Sequence, residues 1–510
     1  MSSNLRQRSV VSSFICTAPN SPSGFTFALF KRSQDVSTYR GKWAVCSGSI
    51  DKTDLSPAAA AKREILEETG LSDSDISLLR RGKPFSLTDE ALQTRWTIHP
   101  FAWQLKEGAK EIKFDWEHTE YRFVKPEALK NYEHVPQLEV GLERVVVSPK
   151  TEKALAILRD DHESGAQVLS LKALGLLLQA ARSEELTGIE STEEYWKQLR
   201  WIAWHLAKNG RPSMAAAIES VVFKALDDIE QHFTTTGSIS AVPLTQFISV
   251  IDSVIASNLQ TGHANLEPIA INFTDLIISR TKILENETTV SSIKIVTLSA
   301  SGTVKAGLGR TIAQLINLGI KVKLTVLESR PNFEGVSFVH GLLKNLDSHH
   351  VLPKIEVEIV ADASAATAVK DAHFVVFGGD KVIPNGDVSN KMGTFTLAAM
   401  AKTVNPACKI IALFETNKIT SSSFDSEYLT IEENDPKEMT NAWPASFKEN
   451  LEDLKAFEAE VKVKNEYFEW VPAKFIDQHI TEKGVWSVDD IAKFAAEIEE
   501  REKRLFGDLS

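Results

Sequence analysis

The hydrophobic pattern of this 510-residue chain changes period twice, and those changes limit the folds open to it. From Ser292 onward, short runs rich in Val, Ile and Phe recur at Ile293–Leu298, Lys321–Leu327, Ile355–Val360, Phe374–Phe377 and Lys409–Phe414. Helical stretches such as Val304–Leu318 and Thr394–Thr403 lie between them. Continuous apolar strands alternating with helices predict a parallel sheet covered on both faces. Between Thr151 and about Leu284 the spacing is helical, at Ala154–Asp160, Ala166–Ala181, Glu193–Ala207, Met214–Phe233 and Pro243–Leu259. Ahead of Thr151, strands are predicted at Val10–Ile15, Phe25–Lys31, Trp43–Cys46, Arg95–Leu105 and Glu120–Val124. A short helix starts at Pro126–Lys130 and a closing helix is expected near Val135–Val147. The chain is too long for one hydrophobic core. The expected division is an α/β unit over 1–148, helices over 151–285, a parallel-sheet unit over 286–491 and a charged helix over 492–510.

The sharpest chemical signal is Arg63-Glu64-Ile65-Leu66-Glu67-Glu68-Thr69-Gly70-Leu71. Ser56 is a suitable N-cap, Pro57 suits the first helical position, alanines fill 58–61, and Gly70 suits a left-handed terminating residue. Positions three and four apart share a helix face, so Glu64, Glu67 and Glu68 converge. Clustered carboxylates repel unless a cation lies between them. With no thiol or imidazole close by in sequence, the donor set suits a hard ion, Mg2+ or Mn2+.

This order, R-E-x-x-E-E-x-G, resembles the Nudix box. The resemblance implies an α/β/α sandwich over about the first 145 residues and metal-dependent cleavage of a nucleoside diphosphate derivative. It makes Glu64, Glu67 and Glu68 the metal ligands and places Arg63 in the catalytic set. Counting back from Arg63 puts the box's upstream glutamate at Leu55 and its glycine at Ser49; one inserted residue puts Asp54 and Gly48 there instead. The run Glu117-His118-Thr119-Glu120-Tyr121 resembles the late strand region where such enzymes place a base, with Glu117 and Glu120 as candidates.

In a parallel sheet, ligands bind beyond the carboxyl ends of the strands. The polar motifs fall there: Thr297–Thr303 with Ser299, Ser301 and Gly302, then Glu328-Ser329-Arg330-Pro331, Asp362, Gly378-Gly379-Asp380, Asn385-Gly386-Asp387 and Asn390-Lys391-Met392-Gly393-Thr394. A shared pocket is expected. Together with Thr481-Glu482-Lys483-Gly484, Ser164-Gly165-Ala166 and Arg211-Pro212-Ser213-Met214, these motifs resemble the translation initiation factor 2B alpha/beta/delta family. Its superfamily includes the ribose-1,5-bisphosphate and methylthioribose-1-phosphate isomerases. The resemblance, from about Thr151 to Ile491, implies a helical subdomain, a Rossmann-like domain and a homodimer through the C-terminal region. The isomerases carry a cysteine where this chain has Ser299, an aspartate matched by Asp380, and Arg-Gly-Ala where it has Ser164-Gly165-Ala166. Asn390 and Lys391 match the family's ligand-contacting positions, and Lys391 suits a phosphate. A serine hydroxyl has no pKa comparable to a thiol's, so a pocket that binds a phosphosugar or nucleotide is expected ahead of an isomerase. A regulatory or scaffold protein of the translation-factor type is the alternative.

A net charge of −12 argues against non-specific binding to nucleic acid or anionic membrane. Cys16, Cys46 and Cys408 are too few and too scattered for a disulfide framework or a zinc site, which favours a reducing compartment. Met1–Ser12 lacks the apolar core of a secretion signal, and Val168–Ala181 is too short to span a bilayer. A cytoplasmic protein is expected. Trp196, Trp201 and Trp204 are expected to pack a core, and the charged helix at Val488–Leu505 to be solvated or to pack.

Overall fold

A computed structural model describes residues 5–17, 24–90, 92–161, 164–234, 239–261, 266–287, 291–347, 355–421, 434–454 and 461–509. The N-terminal unit comprises β1 (Arg6–Cys16), β2 (Phe27–Arg32), β3 (Trp43–Ala44), β4 (Cys46–Ser49), α1 (Pro57–Thr69), β5 (Ile76–Arg81), β6 (Phe85–Asp89), β7 (Thr94–Leu105), β8 (His118–Val124) and α2 (Leu138–Glu143). Its sheet runs β3-β2-β1-β7-β5, with β4 on β1, β6 on β7 and β8 on β2. β1 and β7 are parallel and in register from Arg6↔Thr94 to Cys16↔Gln104. Alternation along these strands fills two cores. Ile15, Phe30, Phe101 and Trp103 pack with Ala60, Ala61 and Ile65 of α1, while Phe14, Phe27, Leu29 and Val124 pack with Leu138 and Leu142 of α2. The result is the α/β/α sandwich. The closing helix is shorter than the sequence predicts, and β5 and β6 have no counterpart in that prediction.

Seven helices follow: α3 (Pro149–Arg159), α4 (Ala166–Ala181), α5 (Glu184–Thr187), α6 (Thr192–Asn209), α7 (Ala215–Thr234), α8 (Leu244–Thr261) and α9 (Glu267–Glu287). α4, α6, α7 and α8 bury Leu174, Tyr195, Trp204, Phe223 and Phe247 in one core. Trp196 and Trp204 are core residues, as the sequence predicts, whereas Trp201 is only partly buried. α9 packs instead on the third unit, where Phe273 and Ile277 join its core.

The third unit contains β9 (Ser292–Thr297), α10 (Gly302–Asn317), β10 (Lys321–Leu327), α11 (Glu334–Asp347), β11 (Ile355–Val360), α12 (Ala365–Ala368), β12 (Phe374–Gly378), β13 (Lys381–Val382), β14 (Val388–Lys391), α13 (Thr394–Val404), β15 (Lys409–Leu413), α14 (Pro436–Asn441), α15 (Ala445–Leu454), β16 (Phe468–Val471), β17 (Gln478–Thr481), β18 (Gly484–Trp486) and α16 (Val488–Phe506). The main sheet runs β11-β10-β9-β12-β15-β17-β18, parallel except for the last pair. Cores on both faces, one under α10 and α11 and one under α13 and α16, explain its continuous apolar strands. A small antiparallel sheet, β13-β14-β16, makes strand of Val388–Lys391, so that Asn390 and Lys391 of the polar motif sit on a strand the sequence does not predict. Among the described residues no helix is long and apolar enough to cross a membrane.

α16 ties the units together. Ile491 and Ala495 enter the third unit's core, while Leu505, Phe506 and Leu509 enter the helical core. Lys208 of α6 stands 3.1 Å from both Glu219 of α7 and Glu502 of α16. Lys83, just before β6, donates to the Leu509 carbonyl. The sandwich also docks on α6 directly. The Asn209 side chain accepts from the Arg81 N–H (2.7 Å) and donates to the Arg81 carbonyl (2.9 Å), as a third strand residue would. Arg144 lies between the rings of Phe85 and Trp201. Asn209→Ala removes both of these part-buried hydrogen bonds to the Arg81 backbone and should cost about 1–3 kcal/mol in equilibrium denaturation. His205, which pairs with the Asn209 amide, is held neutral by burial down to a pKa of about 3. Unfolded histidine protonates near 6.5, so this contribution to stability is complete above that pH and is lost as pH falls from about 6.5 towards 3. His205→Gln should flatten that acid limb of the stability–pH profile.

Candidate active site and a second ligand pocket

α1 begins and ends as its sequence requires. The Ser56 hydroxyl accepts from the Ala59 N–H, and Gly70, at φ 71°, returns its N–H to the Leu66 carbonyl. Within this frame Arg63 is a hub. Its Nε and Nη2 grip both oxygens of Asp54 (3.2 and 3.0 Å), Nη1 reaches Glu64 (2.8 Å) and Glu67 (3.3 Å), and Nη2 also reaches the Ser49 carbonyl (3.0 Å). Hydrogen bonds from Arg63 hold the Asp54 carboxyl below its ordinary range. Leu55 is 84% exposed and has no part in the site. The loop therefore takes the register with the inserted residue. Gly48 sits beneath the Glu64 carboxylate, where an added Cβ would lie 2.0 Å from it, so a side chain there must displace that carboxylate.

Glu68 is almost fully buried and accepts from the Ser47 N–H at 3.0 Å. Burial drives its carboxyl well above the usual range, and Glu64, Glu117 and Asp115 add repulsion. Burial also raises Glu64, where Glu67 and Glu117 repel it, and raises Glu117. Glu117 thus joins the box carboxylates. Glu120 does not: alternation turns it, with Arg122, to the face away from α1, and the two side chains pair.

The fold adds two groups that the linear sequence keeps apart from the box. The buried imidazole of His118 stands with Nε2 3.6 Å from Glu68 and Nδ1 3.7 Å from Asp115, and neither nitrogen has a hydrogen-bond partner. Burial lowers its pKa to about 4. Cys46 is buried beside Glu68, and burial pushes its thiol well up, so it stays protonated. The expectation of no thiol or imidazole nearby is thereby corrected: β4 and β8 bring both in by tertiary folding. A neutral thiol and a neutral ring leave carboxylate oxygen as the charged donor.

With Glu64 and Glu67 turned to Arg63, no three metal-ligating side chains are gathered at one point among the described residues. The donor chemistry still fits a hard cation. Glu64, Glu67, Glu68 and Glu117 form a mutually repelling oxygen set, and the missing side chain at Gly48 makes room for the Glu64 carboxylate. Glu68→Gln removes a carboxyl whose ionised form burial and neighbouring carboxylates penalise, so it should raise the melting temperature in EDTA while abolishing stabilisation by Mn2+. Gly48→Ala should displace Glu64 and weaken the Mn2+ response at least about tenfold, read by the same thermal shift.

The third unit holds a cavity of about 390 Å³ at the carboxyl ends of its strands. Of the residues expected there, Ser299, Ser301, Gly302, Asp380, Asn390 and Lys391 line it, whereas Glu328–Pro331, Asp362 and Asn385–Asp387 do not. Ser164-Gly165-Ala166 and Arg211 from the helical unit line it too. Asp362 and Asp387 serve turns instead. Asp362 accepts from the Ser329 and Arg330 N–H groups, and Asp387 from the Ala473 N–H. The buried Ser299 hydroxyl accepts from the Ser301 N–H at 3.0 Å. Asn390 donates to the Thr394 hydroxyl at 2.9 Å. Lys391 pairs with Glu334 at 3.0 Å and lies over the rings of Tyr467 and Phe468. Two helix N-termini open on the cavity, α4 behind Gly165, which supplies no capping side chain, and α10 behind Ser301. Such termini favour anions. Glu334, which follows the Glu328–Pro331 motif, also lines it, and Lys418, Tyr467 and Phe468 are cavity residues that the sequence motifs do not single out.

The chain matches the NUDIX domain over residues 8–145 and the Initiation factor 2 subunit family over residues 162–488. It is 29% identical over 160 residues to the methylthioribose-1-phosphate isomerase of Natranaerobius thermophilus, covering 31% of this chain and 41% of the relative. To the Populus trichocarpa enzyme of the same name it is 37% identical over 134 residues, covering 26% and 34%. The chain thus spans less than half the length of these curated relatives. Among solved structures, the Pyrococcus horikoshii translation initiation factor eIF-2B matches with 20% identity and a TM-score of 0.43, over 66% of this chain and 97% of that one. The 5-methylthioribose 1-phosphate isomerase of the same organism matches with 20% identity and a TM-score of 0.44, over 69% and 87%. The chain belongs to the initiation factor 2 subunit family and carries a NUDIX domain ahead of that family's region.

Proposed function

We propose that the N-terminal domain is a pyrophosphohydrolase acting on a nucleoside diphosphate derivative with Mg2+ or Mn2+. The observation that carries this reading is the Asp54–Arg63–Glu64 clamp beside buried Glu68, an arrangement that concentrates carboxylate charge on one helix. Glu64, Glu67 and Glu68 would hold the ion, which supplies neutralisation of the diphosphate and an activated water. Arg63 fixes Asp54 and Glu64 so that the site is ordered before substrate arrives. Glu117, whose carboxyl burial raises and which stands among the box carboxylates, is the candidate proton acceptor. Full-length protein with Mg2+ and a panel of nucleotide sugars, dinucleotides and coenzymes should release nucleoside monophosphate from at least one of them. Glu67→Gln and Glu68→Gln should each lower turnover at least ~100-fold with the fold intact. Absence of Mg2+-stimulated release from every compound would defeat the reading.

The second domain, on this reading, binds a phosphosugar or nucleotide in the cavity around Lys391 without isomerising it efficiently. Lys391, Asn390 and two helix N-termini supply groups for a phosphate. Ser299 in place of a thiol removes the group that would titrate near neutrality. Lys391→Ala should weaken thermal stabilisation by ribose-1,5-bisphosphate or methylthioribose-1-phosphate at least about fivefold in apparent Kd, and Ser299→Ala should change it little. Efficient conversion of either sugar by the wild type would instead make this domain an isomerase. The family region is also proposed to pair as a closed dimer, which sedimentation of the full chain would report as twice 56.5 kDa.

A further inference from the structure

Where the sandwich meets the helical unit, the two enclose a cavity of about 520 Å³. The chain passes from one core to the other here: Val145 is buried in the sandwich, and Val147 packs on the helical core. One stripe of α6 forms a wall, with Glu194, Lys197, Gln198, Trp201, Ile202 and His205 recurring at three- and four-residue spacing. The sandwich contributes the end of α2 and the segment that follows it. Arg144 from that segment is buried, its guanidinium 4.7 Å from the Phe85 ring centre and 5.6 Å from that of Trp201. Nη1 donates to the Lys83 carbonyl at 2.9 Å, while the buried Nε has no hydrogen-bond partner. Among the described residues Arg144 has no ion pair, and Lys197, one turn before Trp201 on α6, has neither ion pair nor hydrogen bond. Burial lowers the Arg144 pKa, and the carboxylate that opposes this, Glu143, is exposed. A buried charge without a counter-ion is costly, and an anion seated beside it offsets that cost.

The remaining lining narrows the kind of anion. Glu143, Glu185 and Glu194 face the same cavity, three carboxylates against two cations, so a polyphosphate meets net repulsion. His205 adds no charge, because burial keeps it neutral. A single carboxylate matches the planar edge of a guanidinium. Val147, Ile189 and Ile202, each only partly buried, offer apolar surface in the same cavity. We propose that this junction cavity binds a small organic carboxylate with an apolar body, its charge at Arg144 and Lys197 and its body against Val147, Ile189 and Ile202. Such a ligand touches the sandwich through Arg144 and the helical unit through Lys197, so its binding strengthens the docking of one on the other. The site is separate from the acidic helix and from the Lys391 cavity, and it does not depend on the hydrolase reading.

The test uses phenylacetate as the probe, with 2-phenylethanol as a body without the charge and inorganic phosphate as a charge without the body. Each is titrated into the full chain by calorimetry and by thermal shift. Phenylacetate should bind with a Kd below about 1 mM, at least about tenfold more tightly than either control, and should raise the melting temperature. Arg144→Lys keeps the charge but loses the planar fork, and should weaken phenylacetate about tenfold. Lys197→Gln should weaken it about threefold with the unliganded melting temperature unchanged. Because Arg144 also supports docking, Ile202→Trp gives an independent check: it fills the cavity and should abolish binding, and Lys197→Gln carries the test if that variant fails to fold. Equal affinity for 2-phenylethanol overturns the ionic seat, and equal affinity for phosphate overturns the choice of a carboxylate. Binding retained by a folded Ile202→Trp variant places the ligand elsewhere and overturns the site. No binding of phenylacetate up to about 10 mM overturns the proposal as a whole.

Discussion

Arg63 is the interaction on which the N-terminal site depends. Four carboxylates within one small region repel, and three of them, Glu64, Glu68 and Glu117, are displaced upward in pKa by burial. One guanidinium bonded to Asp54, Glu64, Glu67 and the Ser49 carbonyl offsets much of that repulsion and pins the loop preceding α1 against the helix. A lysine could not do the same, because its point charge lacks the planar fork that grips both oxygens of Asp54. Glu68, the carboxylate that Arg63 does not reach, is held by the Ser47 N–H and walled by neutral His118 and Cys46. The helix thus presents one carboxylate that is fixed by burial and others that are fixed by a cation.

The second domain handles charge differently. Lys391 is paired with Glu334 and stands over two aromatic rings, so its ammonium is positioned before any ligand arrives. Aromatic faces attract a cation without neutralising it, which keeps the charge available at a cavity served by two helix N-termini. The cavity draws residues from the helical unit as well as from the parallel sheet, so the packing of α7 and α16 against both sets its shape. Leu509, just past the end of α16, reaches the sandwich by accepting from Lys83. A helix that reads in sequence as merely charged is therefore the strut joining all three units.

What was legible in the sequence is what depends on local spacing. The capped acidic helix, the helical middle and the parallel-sheet alternation follow from positions a few residues apart; of the strand-end motifs, those at Ser299–Thr303, Gly379-Asp380 and Asn390-Lys391 meet in one cavity, whereas Glu328–Pro331, Asp362 and Asn385–Asp387 lie outside its lining. The rest depends on register. Leu55 and Asp54 compete for one role in any count along the chain, and only the bonds from Arg63 to Asp54 decide between them. Glu117 and Glu120 look alike in sequence, but β8 alternation and the bulge opposite Lys31/Arg32 send them to different places. His118 and Cys46 reach Glu68 across strands, and Tyr467 and Phe468 reach Lys391 from β16, some seventy-five residues further along the chain. The strands of the small sheet are two to four residues long, too short to register as periodicity.

The most direct test of the account is the position of bond cleavage in a nucleotide sugar, followed by phosphorus NMR with the full chain and Mg2+ in 18O-enriched water. The account predicts breakage between the two phosphorus atoms, with 18O appearing on one of the phosphate products and the reaction lost in Glu68→Gln. Retention of the diphosphate linkage in every compound tested, or unchanged cleavage by Glu68→Gln, would contradict it.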